Sequence, residues 1–162
     1  MKENISDHIT WVEATKSQDA VRLGIDNTPN EQQLINMKLV ANKCFEPLRS
    51  WYDKPIGISS FFRSSEINRR VGGSKTSQHC CGEISGKEEA AIDIDADMFN
   101  NGLTNKQIFF WLKESVEFDQ LIWEFGDDNN PAWVHISYRN GGNRKQVLKA
   151  IKELGETKYI PF

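Results

Sequence analysis

The chain has 162 residues, of which 38% are hydrophobic and 27% are charged, with a formal net charge of −3. This length and balance predict one folded domain with a buried core and exclude an intrinsically disordered chain. The small net charge and the lack of an apolar run of about 20 residues argue against a nucleic-acid partner and against membrane insertion.

The first half of the chain predicts an N-terminal arm, a long helix and a strand. We expect a short helix or ordered arm over residues 6–17. Thr28 is the predicted cap of the long helix, with Pro29 at its first position and Glu31 completing a capping box. Apolar residues then recur at helical spacing as far as Trp51.

The rest of the chain predicts alternating short elements. In chain order they are a helix break at 53–55, a strand at 56–62, a helix from Ser64 to Arg70, a turn at Gly72-Gly73, a strand at 90–96, a helix capped by Thr104, a strand at 121–123, a loop at 126–131, a strand at 133–138 and a closing helix from about Gly141-Gly142-Asn143 through Leu154.

These elements predict an α+β fold. Strands that do not alternate regularly with long helices favour a small, mostly antiparallel sheet with helices packed on it. The short loop at 126–131, rich in Gly, Asp and Asn, predicts that the strands on either side pair as a hairpin.

Three residues at the ends of predicted strands suggest a metal site. His79, Asp93 and His135 would converge at one end of the sheet if their strands lie side by side. Imidazole and carboxylate groups both bind Zn²⁺, and three protein ligands with one open position are typical of a catalytic zinc. The pattern therefore predicts a hydrolase.

Three further residues are candidates for the chemistry around that metal. Glu124 closes the strand at 121–123 and is the predicted general acid/base. Arg63 follows a strand and could pair with a substrate carboxylate. Ser77 is predicted to lie on the same strand face as His79 and to hydrogen-bond a peptide.

The three cysteines, Cys44, Cys80 and Cys81, do not predict a disulfide framework, because their number is odd. A thiolate ligand from Cys80 or Cys81 is the less favoured alternative. Neighbouring residues on an extended chain point to opposite faces, so we expect one of the pair simply to pack inward.

Several segments together resemble one family. Ser77-Gln78-His79, the run Ala91–Ile94 and the run Trp133–Tyr138 look like the signature of the D-alanyl-D-alanine metallopeptidases. Residues 57–64 resemble the arginine-bearing strand of the phage and prophage branch, and residues 118–124 resemble its glutamate strand. The similarity runs from about residue 10 to residue 150, and the family shares its fold with the hedgehog signalling domain.

The resemblance implies a role for each candidate and a substrate. His79, Asp93 and His135 would be zinc ligands and Glu124 the acid/base, while Arg63 and Ser77 would contact substrate. Trp133 is a further substrate-binding candidate from its position in the strand, and not from the resemblance. Trp133 is expected to wall the cleft from the strand face opposite the ligand. The implied domain is a single zinc peptidase domain over 1–162, in which 1–27 form an N-terminal arm and lead-in. The implied substrate is the peptide stem of bacterial peptidoglycan, and the implied source is a phage or prophage lysin.

The chain departs from the family in its spacing. Residues 80–92 separate His79 from Asp93, seven residues more than is usual in the family. We interpret 83–89 as an inserted loop at the rim of the active site. The insertion leaves Asp95 as an alternative ligand, although Asp93 is favoured by its Ala-x-Asp-Ile context.

Other functions remain open at this stage. One alternative is a non-catalytic zinc module that binds a peptide or protein, and another is a cytoplasmic D-Ala-D-Ala dipeptidase. Because residues 1–8 lack the apolar core of a signal peptide, we expect synthesis in the cytoplasm. Action on the cell wall would then follow release by a holin or delivery from the virion. The sequence does not determine an oligomeric state.

Overall fold

The structure, a computed structural model, describes residues 2–162. Its helices are α1 (Trp11–Thr15), α2 (Gln18–Leu23), α3 (Glu31–Val40), α4 (Glu46–Tyr52), α5 (Ser65–Arg70) and α6 (Asn105–Ser115). Its strands are β1 (Gly57–Ser60), β2 (Glu89–Asp95), β3 (Gln120–Glu124), β4 (Trp133–Arg139), β5 (Gln146–Glu153) and β6 (Glu156–Pro161).

The strands form one sheet in the order β1-β2-β4-β3-β5-β6. Neighbouring strands run antiparallel except β3 and β5, which are parallel. The α+β class and the mostly antiparallel sheet are therefore confirmed, as is the hairpin formed by β3 and β4.

The long helical region begins later than predicted. Asn30, and not Thr28, is the N-cap of α3, and it exchanges capping-box hydrogen bonds with Gln33. A π-helical turn at Ala41–Phe45 separates α3 from α4. Pro47 follows within the first turn of α4, where its missing N–H prevents a regular hydrogen bond back into the preceding turn.

The predicted closing helix is wrong, because residues 146–161 form a β-hairpin. Its turn is made by Leu154 and Gly155, whose φ angles of 51° and 81° are both positive, as a two-residue hairpin loop requires. The terminal Phe162 packs against Phe109 and Trp123, with ring centroids 4.6 and 5.5 Å away. These contacts hold the hairpin beside β3.

Alternation along the strands separates the two faces of the sheet. On β2, β4 and β3, the residues that join the hydrophobic core are Ile92, Ile94, Val134, Ile136, Leu121 and Trp123. Helices α3 and α6 cover this face, packing on β2 and β3. The intervening residues of the same strands belong to the other face, where the site lies. They include Asp93 on β2, His135 on β4 and Glu124 on β3.

Within residues 2–162, none of the helices combines the length and the apolar character that a membrane crossing requires.

Candidate active site

The structure brings three predicted metal ligands together. Nε2 of His79 lies 3.2 Å from Oδ1 of Asp93, and Nδ1 of His135 lies 2.9 Å from the same oxygen. All three donor atoms fall within 4.8 Å of one another. Ligands of a tetrahedral zinc at ordinary bond lengths are about 3.3 Å apart, so this set has the size and the chemistry for Zn²⁺.

Hydrogen bonds set the orientation of His79. The Nδ1–H of its ring donates to the carbonyl oxygen of Phe61 over 2.8 Å, which leaves Nε2 as the free lone-pair donor facing Asp93. The backbone N–H of Arg63 donates to the carbonyl of His79 over 3.0 Å. The chain after β1 thus holds the histidine by both its ring and its backbone.

The pairing of β2 with β4 positions the other two predicted ligands, Asp93 and His135. Asp93 on β2 is directly opposite His135 on β4, so their side chains lie side by side on one face. Both are largely buried. Burial alone would raise the pKa of Asp93, but the neighbouring His79 and His135 hold it well below the ordinary range. The carboxylate therefore stays ionised, as a metal ligand must.

Asp95 does not join this group. Its Oδ1 accepts hydrogen bonds from the backbone N–H of Asp97 over 3.0 Å and from Nδ2 of Asn105 over 3.1 Å. The side chain therefore caps the short turn that follows β2. Between the two candidates, Asp93 is the carboxylate that the structure places beside the histidines.

The segment that carries His79 is not the predicted strand. Residues Gln78–Cys80 form a 3₁₀ turn, so Ser77 and His79 do not share a strand face. Ser77 precedes the turn and still lines the cleft. Gln78 anchors the turn, because its amide Nε2 donates to Glu89 and Asp119, both at 2.9 Å.

The two neighbouring cysteines are both buried, where one was expected to pack inward and the other outward. Burial raises the pKa of the Cys80 thiol to about 11 and that of Cys81 well above its usual value. In the described chain, neither belongs to the group of metal-binding atoms. Both therefore pack inward as buried, neutral thiols.

Glu124 lies next to the metal-binding group. It is on β3, two residues from Ile122, which is the direct neighbour of His135 across the sheet. The carboxyl group is largely buried, and this burial raises its pKa to about 7, with His135 lowering and Asp93 further raising the value. A carboxyl group that titrates near neutral pH can both accept and return a proton.

Arg63 is held at the edge of the same cleft by its neighbours. The side chain of Asn27 donates to the carbonyl oxygens of Thr15 and Phe62 and accepts from the N–H of Ser64. The lead-in segment therefore fixes the residues on both sides of Arg63. The guanidinium makes a long contact of 3.4 Å with Asn68, which leaves most of its donors free for a ligand.

Trp133 also lines the cleft, but from a different face than expected. It is two residues from His135 on β4, so both side chains point to the same face of the sheet. It is directly opposite Glu124, and its ring contacts Phe125 with centroids 5.4 Å apart. Trp133 thus forms a wall beside the acid/base candidate.

The inserted segment 83–89 is not at the rim of the active site. In the described residues, the lining of the cleft includes no part of it. Instead, the carboxylate of Glu83 accepts hydrogen bonds from the side chain of Gln33 on α3 and from the N–H of Ser65 on α5. The insertion packs against these helices and leaves the ends of the ligand-bearing segments in place.

The cleft also includes residues that were not predicted from the sequence. It has a volume of about 790 Å³ and is walled on its far side by the C-terminal hairpin. The wall is made by Gln146, Leu148 and Lys152 of β5 and by Thr157 and Tyr159 of β6. Burial, together with the nearby carboxylates of Glu124 and Asp93, raises the pKa of Tyr159, so its hydroxyl stays protonated and available as a donor. None of these residues belongs to the predicted site, because the residue pattern over most of β5 predicts a helix.

Comparison with known proteins agrees with this geometry. A search of curated proteins gave no match. The sequence model of the family described as Peptidase M15 matches residues 7–137, which include all the metal-binding and acid/base candidates. The match covers most of the chain and ends just before the C-terminal hairpin. The chain therefore belongs to the peptidase M15 family, the D-alanyl-D-alanine metallopeptidases, and is a peptidase by family.

Proposed function

We propose that this chain is a zinc-dependent peptidase that cleaves the peptide stems of bacterial peptidoglycan. The observation that carries the proposal is the convergence of His79, Asp93 and His135 beside the buried carboxyl group of Glu124, on one wall of an open cleft. Family membership supports the peptidase activity, and the donor set supports the metal.

In this proposal, His79 Nε2, an oxygen of Asp93 and His135 Nδ1 hold the zinc ion. When bound, Zn²⁺ acidifies a water molecule and polarises the scissile carbonyl group. The protein residues then handle orientation and proton transfer. Arg63 and Ser77 orient the peptide from one side, and Trp133 limits access of bulk water to Glu124.

Glu124 carries the proton through the reaction. Its carboxylate accepts a proton from the attacking water and later donates it to the departing amine nitrogen as the C–N bond breaks. The raised pKa favours this exchange, because the donor and acceptor forms are then close in free energy at neutral pH. No net proton remains on Glu124 after one turnover.

Substitution of Glu124 by Gln tests the peptidase proposal. The amide keeps the shape and some hydrogen bonding but cannot carry the proton, so we expect hydrolysis to fall by about 10²–10⁴-fold. Zinc content should stay near one ion per chain, since Glu124 is outside the donor group. Activity is measured on purified peptidoglycan with a chelator control, and metal content by elemental analysis.

The outcomes separate the alternatives. Unchanged hydrolysis in the Glu124→Gln protein would contradict its assigned role. Zinc binding without cleavage by the wild type would favour the non-catalytic binding module instead. Preference for free D-Ala-D-Ala over intact peptidoglycan would favour the dipeptidase.

The bond and the biological setting are also proposals. We propose cleavage either at the terminal D-Ala-D-Ala bond or at an internal L-Ala-D-Glu bond, and mass spectrometry of the released fragments distinguishes the two. The motifs at 57–64 and 118–124 support the phage or prophage lysin assignment. We further propose that the enzyme reaches the wall after holin release or from the virion.

A further inference from the structure

The C-terminal hairpin forms part of the cleft, although it lies outside the family match. The match ends at residue 137, whereas β5 and β6 begin at residues 146 and 156. Nevertheless, five residues of the hairpin line the same cleft as the proposed metal-binding group. A peptide bound at the metal would therefore meet a wall that lies outside the region covered by the family match.

The sheet register locates the one charged residue of that wall. Glu124 is directly beside Ala150 on β5, and Ala150 is directly beside Tyr159 on β6. Lys152 is two residues past Ala150, on the same face and opposite Thr157. Lys152 is therefore on the strand next to Glu124 and two residues further along the strand direction. With ordinary strand spacing and rise per residue, its Cα atom is about 8 Å from that of Glu124. This distance corresponds to about two residues of an extended peptide.

Lys152 differs from the other lysines of this region in its partners. Lys145 pairs with Glu117, Lys149 with Asp128 and Lys158 with Glu153. Across residues 2–162, Lys152 forms no ion pair, and its ammonium group donates to the neutral hydroxyl of Thr157 over 2.8 Å. A cation that faces a cleft without a carboxylate partner is suited to bind an anionic group of a ligand.

The cleft also carries a second cation at a distance from the first. Arg63 follows β1, at one edge of the sheet, and Lys152 is on β5, near the other edge. The metal-binding group and Glu124 lie on the strands between them. The two cations therefore flank the reacting bond on opposite sides.

We propose that Lys152, assisted by the hydroxyl of Tyr159, binds a free carboxylate of the substrate about two residues from the scissile bond, on the side away from Arg63. This inference rests on the proposed function, and it names the substrate class as stem peptides whose carboxylates are free rather than amidated. Lys152 is then a specificity residue and Glu124 remains the acid/base.

The experiment compares Lys152→Met with Lys158→Met on two forms of the same stem peptides. One form has free carboxylates, and the other has been converted to carboxamides. Lys158 is the matched control, because it is on the same hairpin but opposite Ile151, on the other face of the sheet. For the free-carboxylate substrate, we expect Lys152→Met to raise KM about three- to tenfold with kcat nearly unchanged. The Lys158→Met protein should match the wild type on both substrates.

A binding measurement makes the test independent of turnover. Each substitution is also placed in the zinc-loaded Glu124→Gln protein, and the Kd for both peptide forms is measured by calorimetry. The expected result is that Lys152→Met weakens binding of the free-carboxylate form by the same three- to tenfold and leaves the carboxamide form unchanged.

The outcomes keep the two proposals separate. Equal Kd values for the Lys152→Met and Lys158→Met proteins would overturn the role of Lys152, whether or not the wild type cleaves peptidoglycan. If the wild type fails to cleave either substrate but Lys152 still governs binding, the proposed function alone is overturned. An equal loss on both peptide forms would assign Lys152 to general packing of the hairpin and would also overturn the inference.

Discussion

At the scale of single residues, hydrogen bonding decides which acidic side chain belongs to the metal-binding group. Asp93 and Asp95 are on the same strand and the same face, so their positions in the sequence do not separate them. The carboxylate of Asp95 already accepts hydrogen bonds from the N–H of Asp97 and from the side chain of Asn105, whereas the carboxylate of Asp93 faces both histidines. The assignment follows from these partners.

The two aspartates therefore respond differently to the same substitution. We expect Asp93→Asn to weaken zinc binding by more than about 100-fold, because it removes a charged ligand between two histidines. Asp95→Asn keeps an acceptor oxygen for its capping bond and should bind zinc as the wild type does. Competition with a chromophoric chelator measures both affinities. Strong zinc loss in the Asp95 variant and not in the Asp93 variant would reverse the assignment.

Much of the residue-scale site could be predicted, because its residues occur in compact motifs. His79, Asp93, His135 and Glu124 were all identified as neighbours from sequence, and the structure brings them together. The 3₁₀ turn at His79 was not predicted, since it depends on the anchoring of Gln78 by Glu89 and Asp119, which are distant in sequence.

At the scale of secondary-structure elements, the chain after β1 supports the metal-binding histidine. The carbonyl of Phe61 orients the ring, the N–H of Arg63 holds the turn, and Asn27 fixes the residues beside Arg63. The proposed substrate-binding arginine and a proposed metal ligand are thereby attached to the same short segment. Movement of this segment would disturb both functions together.

The turn of the C-terminal hairpin carries a residue that is poorly suited to it. Leu154 has φ of 51° and is 98% exposed. The left-handed backbone conformation raises the free energy of the folded state, and the exposed side chain makes no packing contacts that would offset it. We expect Leu154→Asn to stabilise the protein by about 0.5–1 kcal/mol, since Asn-Gly is the preferred pair for this turn. Urea unfolding measures the change. Leu154→Ala is the control and should give little gain, and an equal gain from both variants would show that the conformation is not the cause.

The failed prediction for β5 follows from an ambiguous sequence pattern and from pairing with a distant strand. Residues 146–153 have apolar residues at spacings that fit a helix as well as a strand, and the preceding Gly141-Gly142-Asn143 is also compatible with a helix start. Pairing with β3 in parallel decides the outcome, and this partner is separated from β5 by β4 in the chain. A pairing with a strand that is distant in the sequence leaves no signal in the local residue pattern.

At the scale of the whole molecule, a buried ionic network connects the sheet to the segment carrying His79. Asp119 is fully buried, and its carboxylate accepts from the guanidinium of Arg144 and from Gln78. Glu89 pairs with Arg139 at 2.9 Å and also accepts from Gln78. The network thus unites residues from β2, β4, the turn before His79 and the loops that flank β3 and β5.

This network makes the fold sensitive to acid. Burial alone would raise the pKa of Asp119 and of Glu89, but their hydrogen bonds and arginine partners lower both below the ordinary values of 3.8 and 4.5. Groups with lowered pKa stabilise the fold fully above their unfolded-state values. That contribution is lost as the pH falls through the folded-state values, so stability should decline below about pH 4.5.

Substitution of Asp119 by Asn tests the network. At pH 7 we expect a loss of about 2–4 kcal/mol in the free energy of unfolding, because Arg144 and Gln78 lose a buried charged acceptor. The decline in stability between pH 5 and pH 3 should also be shallower than in the wild type. Urea unfolding at several pH values measures both effects. Asp19→Asn removes only an exposed pair with Arg22 and should change little, and a similar response in both variants would contradict the argument.

The position of β6 has a consequence for the behaviour of the protein in concentrated solution. As the last strand in the sheet order, it leaves one row of backbone groups without a strand partner, which is the arrangement from which proteins aggregate edge to edge. This strand contains Lys158 and ends in Pro161, and both residue types oppose the addition of another strand. The hairpin therefore shields β3, whose residues are nearly all buried, and replaces it at this edge with a strand that resists self-association.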